Sequence, residues 1–338
     1  MENYRGIIGA PDKVVARDDR DAEWVKNKLA LEVFEDTDVL EFERPKTIEE
    51  EIIAHWIIEN LPKFLEAYGL EAPKLISYSD IRMIDSKKSD HKEISNLIEM
   101  GGGGAYIPGT NRVYALSGPE NLLRSAHIIA HELVHAHSFS SVETELDESG
   151  KNIYTHQRRF GLIIVNKDEE FSNFFMFLNE AITEELTRKF AEKYFPGFFL
   201  ISEEFKKIQE KVTLQGILRN TPMEQLIDEE FSDQKFYCYP NERGILAFLI
   251  NDIFNFNQGR FTTHDDVFKL FTRAMLHGEL LPLARVIEKT YGKGNFRKIA
   301  ELTRERQPDF INEVTNFLKR THKRTTDNSK KEGGPTTE

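Results

Sequence analysis

Cysteine is almost absent from this sequence, which has a single one, Cys238, among 338 residues. A lone cysteine cannot form a disulfide within the chain, and it excludes any zinc site built from several thiolates. Nothing near Cys238 marks it as a nucleophile, so we expect it to be inert. A metal site in this protein would therefore have to use histidine and carboxylate ligands.

Long hydrophobic runs and a basic surface are lacking as well. No apolar stretch approaches the roughly eighteen residues of a membrane-spanning helix, and the chain does not open with the basic start and apolar block of a secretory signal. The formal charge of −12 argues against nucleic-acid binding, because phosphate contacts need clustered Lys and Arg. We therefore expect a cytoplasmic protein that binds neither a membrane nor a nucleic acid. The sequence does not predict an oligomeric state.

Composition and periodicity predict an α+β protein with four regions. Residues 1–46 form a partly ordered extension, which includes a short amphipathic helix in AEWVKNKLALEVF. Residues 47–138 form a mixed α/β subdomain, and residues 139–322 form a mainly helical one. Residues 323–338, which are polar and Gly-containing, form a disordered tail.

Local signals give the order of elements in the α/β subdomain. Thr47 stands three residues before Glu50, a capping-box spacing, and begins a helix that Pro62 should bend or interrupt. Residues 75–84 alternate well enough to form a strand, and residues 105–116 contain two short strands around a turn. These two strands lead directly into the next helix.

That helix contains the run HELVH. Ser117 stands three residues before Glu120, with Pro119 in the first turn, so we expect the helix to begin there and to continue to about Ser138. The apolar flanks AHIIA and LV surround the run on nearly every side. The helix should therefore be buried, and its polar residues then need partners.

Helices dominate the second subdomain. Residues 139–152 are polar and turn-like, and residues 153–166 suggest extended structure. Residues 171–195 are strongly helical, and their aromatic run FSNFFMF should belong to the core. From about residue 200 onward, amphipathic segments with Gly or Pro stops predict further helices.

HELVH carries the pattern of a zinc site. On an α-helix His131 and His135 lie one turn apart, about 40° from each other, so both imidazoles can bind one zinc ion. Glu132 lies roughly 100° from His131, too far to be a third ligand, but well placed to take a proton from a water at the metal.

A second helix offers the further ligand that a catalytic zinc site needs. Glu180 and Glu184, in LNEAITEEL, are again spaced i, i+4 and can face one partner helix. One could bind the metal while the other accepts the ring N–H of a ligand histidine. We assign Glu180 as the ligand and Glu184 as the orienting carboxylate.

The two motifs together resemble those of the gluzincin metallopeptidases, H-E-x-x-H followed by N-E-x-x-[ST]-[DE]. In that family the first Glu of the second motif is the third zinc ligand, and the acid four residues later orients a ligand histidine. The resemblance covers about residues 75–190. The matching residues are His131, Glu132, His135, Glu180 and Glu184.

This resemblance implies a zincin-like fold and a zinc-dependent peptidase, a hydrolase with Zn²⁺ as cofactor and a peptide or protein as substrate. An edge strand before the active-site helix would pair with extended substrate, which makes Ala105 and Tyr106 candidate substrate-binding residues. Asn179, the Asn of the second motif, is a third candidate.

The family also supplies a Tyr or His that stabilises the oxyanion, and no short motif identifies it here. Tyr239 is our choice, because FYCYPNERG opens a helix after the Glu helix. Tyr154 and His156 are alternatives.

The same residues allow other interpretations. His127 precedes His131 by four residues and either lines the substrate side or is a core histidine, and His137 lies off the metal face and should be structural. The motif residues could be solvated residues of an ordinary amphipathic helix. The protein could also be a non-catalytic zinc-binding regulator, or a metal hydrolase that acts on a non-peptide amide or ester.

Overall fold

Helices and two small sheets pack around a shared hydrophobic core in the computed structural model of this protein. The structure describes residues 13–15, 43–85, 103–107, 111–146, 153–165, 173–219, 237–304, 313–314, 316–318 and 320. In residues 13–15, 144–146, 153–157 and 211–219 it describes the backbone alone. This mixture agrees with the predicted α+β class.

The helices follow most of the predicted segments. In chain order they are α1 (Ile48–Glu66), α2 (Leu122–Ala136), α3 (Met176–Tyr194), α4 (Ser202–Arg219), α5 (Pro240–Phe256), α6 (His264–Leu276), α7 (Leu280–Tyr291) and α8 (Asn295–Leu302). Among the helices so described, none combines the length and the apolar composition needed to cross a bilayer. The predicted helix AEWVKNKLALEVF and the predicted tail at residues 323–338 lie outside the described residues.

The strands form two separate sheets. They are β1 (Lys13–Val15), β2 (Glu43–Arg44), β3 (Ile81–Ile84), β4 (Gly104–Ile107), β5 (Arg112–Leu116), β6 (Ser140–Leu146), β7 (Ile153–Phe160), β8 (Ile163–Val165) and β9 (Asn173–Phe174). One sheet has the order β2-β3-β5-β4, with β3 and β5 parallel, and the other has the order β1-β6-β7-β8-β9. In the first sheet β4 pairs only with β5 among the described strands, so it is an edge strand.

The start of α1 is as predicted. Thr47 accepts a hydrogen bond from the Glu50 backbone N–H at 3.2 Å, and Glu50 accepts one from the Thr47 N–H at 2.9 Å. Of the two predicted effects of Pro62, a bend or an interruption, the interruption does not occur, since the helix is continuous through it. An interior proline costs about 3 kcal/mol. Leu61, Phe64 and Leu65 are buried around it, and at about 1.5–3 kcal/mol each their burial outweighs that cost.

The helix that contains HELVH begins later than predicted. Its N-cap is Asn121, whose Oδ1 accepts a hydrogen bond from the Arg124 N–H at 3.1 Å, and Ser117 belongs to the preceding loop. The Ser117 carbonyl is instead bound by the guanidinium of Arg44 at 2.7 Å. Ser117 thus contacts a residue far away in the sequence and does not cap the helix. The helix ends at Ala136, close to the predicted end.

Strands occupy the first part of the subdomain predicted to be mainly helical. Residues 139–152 were expected to be turn-like, but β6 forms there and pairs with β1 on one side and β7 on the other. Its sequence SSVETEL has few apolar residues, so the neighbouring strands, not a hydrophobic pattern, stabilise it. Of the strand predicted at residues 75–84, Ile81–Ile84 is formed, after a 3₁₀ turn at Tyr78–Asp80.

A continuous cluster of buried apolar residues joins the two predicted subdomains. It includes Ile57 of α1, Leu133 of α2, Ile182 of α3 and Phe271 of α6, each nearly or fully buried. Phe177, in the run FSNFFMF, is also part of this core, as predicted. The α2 and α3 helices thus pack against each other in this core, and this contact positions the candidate site.

Candidate metal centre

Histidines of α2 face glutamates of α3, and the two residue types alternate along the contact between the helices. His131 and His135 lie one turn apart on α2. Glu184 and Glu180 lie one turn apart on α3, in the opposite order along the chain. Because each helix advances about 6 Å in four residues, side chains spaced i, i+4 on two opposed helices meet in register. Glu180 therefore lies between His131 and His135, and Glu184 lies between His127 and His131.

Glu180 and the two histidines beside it, His131 and His135, bring three ligand atoms together. The carboxylate oxygen Oε2 of Glu180 lies 3.5 Å from Nε2 of His131 and 3.3 Å from Nε2 of His135. All three atoms lie within 4.8 Å of one another, and both histidines are buried. This His₂Glu set has the composition of a catalytic zinc site that keeps one coordination position open.

The other nitrogen of each ring also has a neighbour on α3. His131 Nδ1 lies 2.8 Å from Glu184 Oε2, and His135 Nδ1 lies 3.5 Å from the hydroxyl of Thr183. Histidines that bind a metal commonly have such a partner, which fixes the ring and the tautomer. With Nδ1 of His131 beside Glu184 and Nδ1 of His135 beside Thr183, the Nε2 atoms of both rings are the ones that face Glu180. The residues present therefore fit a metal ion.

The surroundings of His131, Glu180 and Glu184 favour the charged form of each side chain in spite of its burial. Burial raises the pKa of Glu180 and Glu184, but the charges and hydrogen bonds of the neighbouring histidines outweigh it and hold both pKa values well below the usual range. Burial lowers the pKa of His131, yet its hydrogen bonds to Glu180 and Glu184 raise that pKa well above its ordinary value. The carboxylates are thus ionised, and a metal ion would have to displace the proton that these carboxylates favour on His131.

Glu132 lies on the side of α2 that faces the edge strand β4. It is 3 % exposed and accepts a hydrogen bond from the backbone N–H of Tyr106. Burial raises the pKa of its carboxyl group, and the charges of His131 and His135 oppose that rise. A carboxylate with a raised pKa next to a cation site is suited to accept and release a proton.

Gly104 allows this close approach. A Cβ atom there would lie 2.8 Å from Glu132 Oε1 and 2.6 Å from Ile128 Cγ2, closer than side-chain atoms normally come. Only a residue without a side chain lets β4 pass so near the helix. No pattern in the sequence indicated this role, since Gly104 is the last of four consecutive glycines in a polar loop.

Tyr239 is the candidate oxyanion residue that the structure brings to the site. It stands in a left-handed backbone conformation, φ 59°, just before α5, and its ring lies beside that of His131 with centroids 5.9 Å apart. Tyr154 and His156 belong to β7, and their side chains lie outside the described residues.

The predicted substrate-binding residues are in different places. Ala105 and Tyr106 are on β4, and the Tyr106 hydroxyl donates to Asn111 Oδ1 at 3.0 Å. Asn179 has no exposed surface, and its Oδ1 accepts a hydrogen bond from the Leu162 N–H at 2.9 Å. Asn179 thus holds the turn after β7.

The sequence reasoning missed two neighbours of the ligand histidines, Phe160 and Thr183. Phe160 lies at the end of β7, with its ring 6.0 Å from that of His135 and 5.8 Å from that of Tyr106. Thr183 shares a helix face with Glu180, three residues earlier, and this i, i+3 spacing was the available signal. His137 is bound by the Lys74 N–H at 3.2 Å, and burial lowers its pKa to about 3, as suits a structural histidine.

Comparisons with known proteins give no relative: no family model, no curated protein and no solved structure matches the chain.

Proposed function

We propose that this protein is a zinc-dependent peptidase with a gluzincin-type site. One observation carries the proposal: the two histidines of HELVH and the glutamate of the second motif direct three ligand atoms to a common point, within 4.8 Å of one another. Glu184 supports it from the position of the family's orienting acid, 2.8 Å from His131. We also propose that the edge strand, α2 and α3 form the core of a zincin-like fold.

His131, His135 and Glu180 would hold the zinc ion. When bound, zinc supplies Lewis acidity, which polarises a substrate carbonyl and lowers the pKa of water. Glu132 is the general base: its carboxylate takes the proton of the attacking water and passes it to the leaving amine. The hydrogen bond from the Tyr106 N–H keeps that carboxylate beside the site.

The substrate is an extended peptide that pairs with the edge strand β4 at Ala105 and Tyr106. Tyr239, beside His131, stabilises the oxyanion that forms on the attacked carbonyl. The edge position of β4 leaves backbone groups of the strand available for such pairing, although Tyr106 N–H is shared with Glu132.

The test is to measure bound metal and hydrolysis of a quenched peptide library by the purified protein, before and after chelation. We expect about one zinc ion for each chain, loss of hydrolysis when zinc is removed and recovery when it is restored. A folded preparation that has not been treated with chelator and contains no zinc would contradict the proposal. Full zinc occupancy without peptide cleavage would favour a regulatory zinc protein, and cleavage of other amides or esters alone would favour a non-peptide hydrolase.

Substitution of Gly104 should impair catalysis without removing the metal. In Gly104→Ala the new methyl group would displace Glu132, and a misplacement of about 1 Å can cost roughly 100-fold in rate. We therefore expect kcat/KM to fall about 10- to 100-fold at unchanged zinc content. Gly197→Ala is the control, since a Cβ at Gly197 would contact nothing within 4 Å. Wild-type activity in Gly104→Ala would show that Glu132 tolerates displacement or does not act.

A further inference from the structure

Glu184 is contacted from three directions, although it has no exposed surface. Its Oε2 lies 2.8 Å from Nδ1 of His131. Its Oε1 accepts a hydrogen bond from the Cys238 backbone N–H at 2.9 Å and lies 3.1 Å from Nε2 of His127. One carboxylate thus connects a metal-ligand histidine, a second histidine of the same helix and the segment that leads into α5.

His127 is a third histidine on the face of α2 that carries His131 and His135. It lies one turn before His131 on α2, it is 4 % exposed, and its ring packs against the ring of Tyr237 at 5.5 Å between centroids. The contact with Glu184 explains why a histidine is present in this apolar helix. It does not belong to the group of ligand atoms that could hold a metal.

We propose that His127 is a positioning residue of the metal centre, which fixes the Glu184 carboxylate so that Glu184 in turn fixes the ring of His131. This proposal rests on the metal site of the proposed function. The physical argument concerns rotation of the carboxylate. With His127 and Cys238 N–H at Oε1, the other oxygen is directed at His131 Nδ1, and His131 Nε2 is then directed at Glu180.

Loss of the outer partner should weaken the inner ligand. Residues that orient metal ligands typically contribute 10- to 100-fold to metal affinity. His127 acts one contact further out than Glu184, but it is buried and shares an oxygen with only one other described donor, the Cys238 N–H. Without His127 that oxygen keeps a single donor, and the carboxylate can turn away from His131.

The experiment compares zinc affinity in three variants of the full chain, measured by competition with a chelating dye. His127→Leu removes the contact, and His127→Gln keeps an N–H donor at a similar reach. His137→Leu is the matched control, since His137 is equally buried at the end of the same helix and contacts the Lys74 N–H and not Glu184. The thermal midpoint of each zinc-free protein and the visible spectrum of the Co²⁺-loaded protein are recorded alongside.

We expect His127→Leu to bind zinc about 10- to 100-fold more weakly, with a changed Co²⁺ spectrum, and His127→Gln to bind more tightly than His127→Leu. His137→Leu should lower the thermal midpoint and leave zinc affinity near that of the wild type. Unchanged affinity in His127→Leu, or an equal loss in His137→Leu, would overturn the positioning role alone. Absence of zinc binding in the wild type would overturn the metal site itself, whereas zinc binding without peptide hydrolysis would overturn only the peptidase.

Discussion

Glu132→Gln should slow hydrolysis strongly and leave the metal in place. The amide has nearly the same size and can still accept the hydrogen bond from the Tyr106 N–H, but it cannot take up a proton at neutral pH. A positioned general base contributes roughly 10²- to 10⁴-fold to rate, so we expect kcat/KM to fall by about that factor. Because Glu132 is not among the candidate ligands, zinc content should remain that of the wild type.

Kinetics with a cleaved peptide and metal analysis of the same samples decide this prediction. Glu120→Gln is a suitable control, because Glu120 is exposed and lies just before the same helix. Retained hydrolysis in Glu132→Gln would remove Glu132 from the mechanism. Loss of zinc together with activity would mean that the substitution disturbs the ligand helix, and the catalytic role would then be unsupported.

Glu180→Gln should remove the metal. Glu180 Oε2 faces both ligand histidines at 3.3–3.5 Å and carries the negative charge of the donor set. Zinc sites in proteins use thiolate, imidazole and carboxylate, and a neutral amide is a poor substitute. We expect zinc affinity to fall by more than the roughly 10- to 100-fold that loss of an orienting residue causes, and hydrolysis to disappear with the metal.

Thermal unfolding gives a second readout of this loss. A ligand that binds only the folded state at 100 times its Kd stabilises it by about 2.7 kcal/mol. Added zinc should therefore raise the midpoint of the chelated wild type and not that of Glu180→Gln. Glu192→Gln is the control on the same helix, because Glu192 contacts Arg188 and not the histidines. A zinc-dependent shift of equal size in Glu180→Gln would exclude Glu180 as a ligand.

The helix face that carries each ligand pair was predictable because it depends on local periodicity. The spacing of His131 and His135, and of Glu180 and Glu184, places each pair on one helix face whatever the rest of the chain does. The apolar flanks of HELVH correctly predicted burial, and the capping box at Thr47 correctly predicted the start of α1. Such features act over distances of three or four residues, which the sequence displays directly.

Contacts between distant residues decided the features that were not predictable. The Arg44 guanidinium binds the Ser117 carbonyl, and Asn121 caps α2 instead, although Ser117 had the better capping pattern. β6 exists because β1 and β7 pair with it, and α1 continues through Pro62 because its neighbours are buried. Each of these outcomes depends on a partner brought near by folding.

By itself, the sequence determined which side chains could hold a metal and which helices carry them, because helical periodicity fixes the direction of each residue on its own helix. Only the tertiary structure decided that Glu180 faces the two histidines and that Glu184 also contacts His127 and the Cys238 N–H. It also decided that Gly104 brings β4 against Glu132. The physical reason is that these contacts arise from packing between segments, and packing is a property of the assembled core.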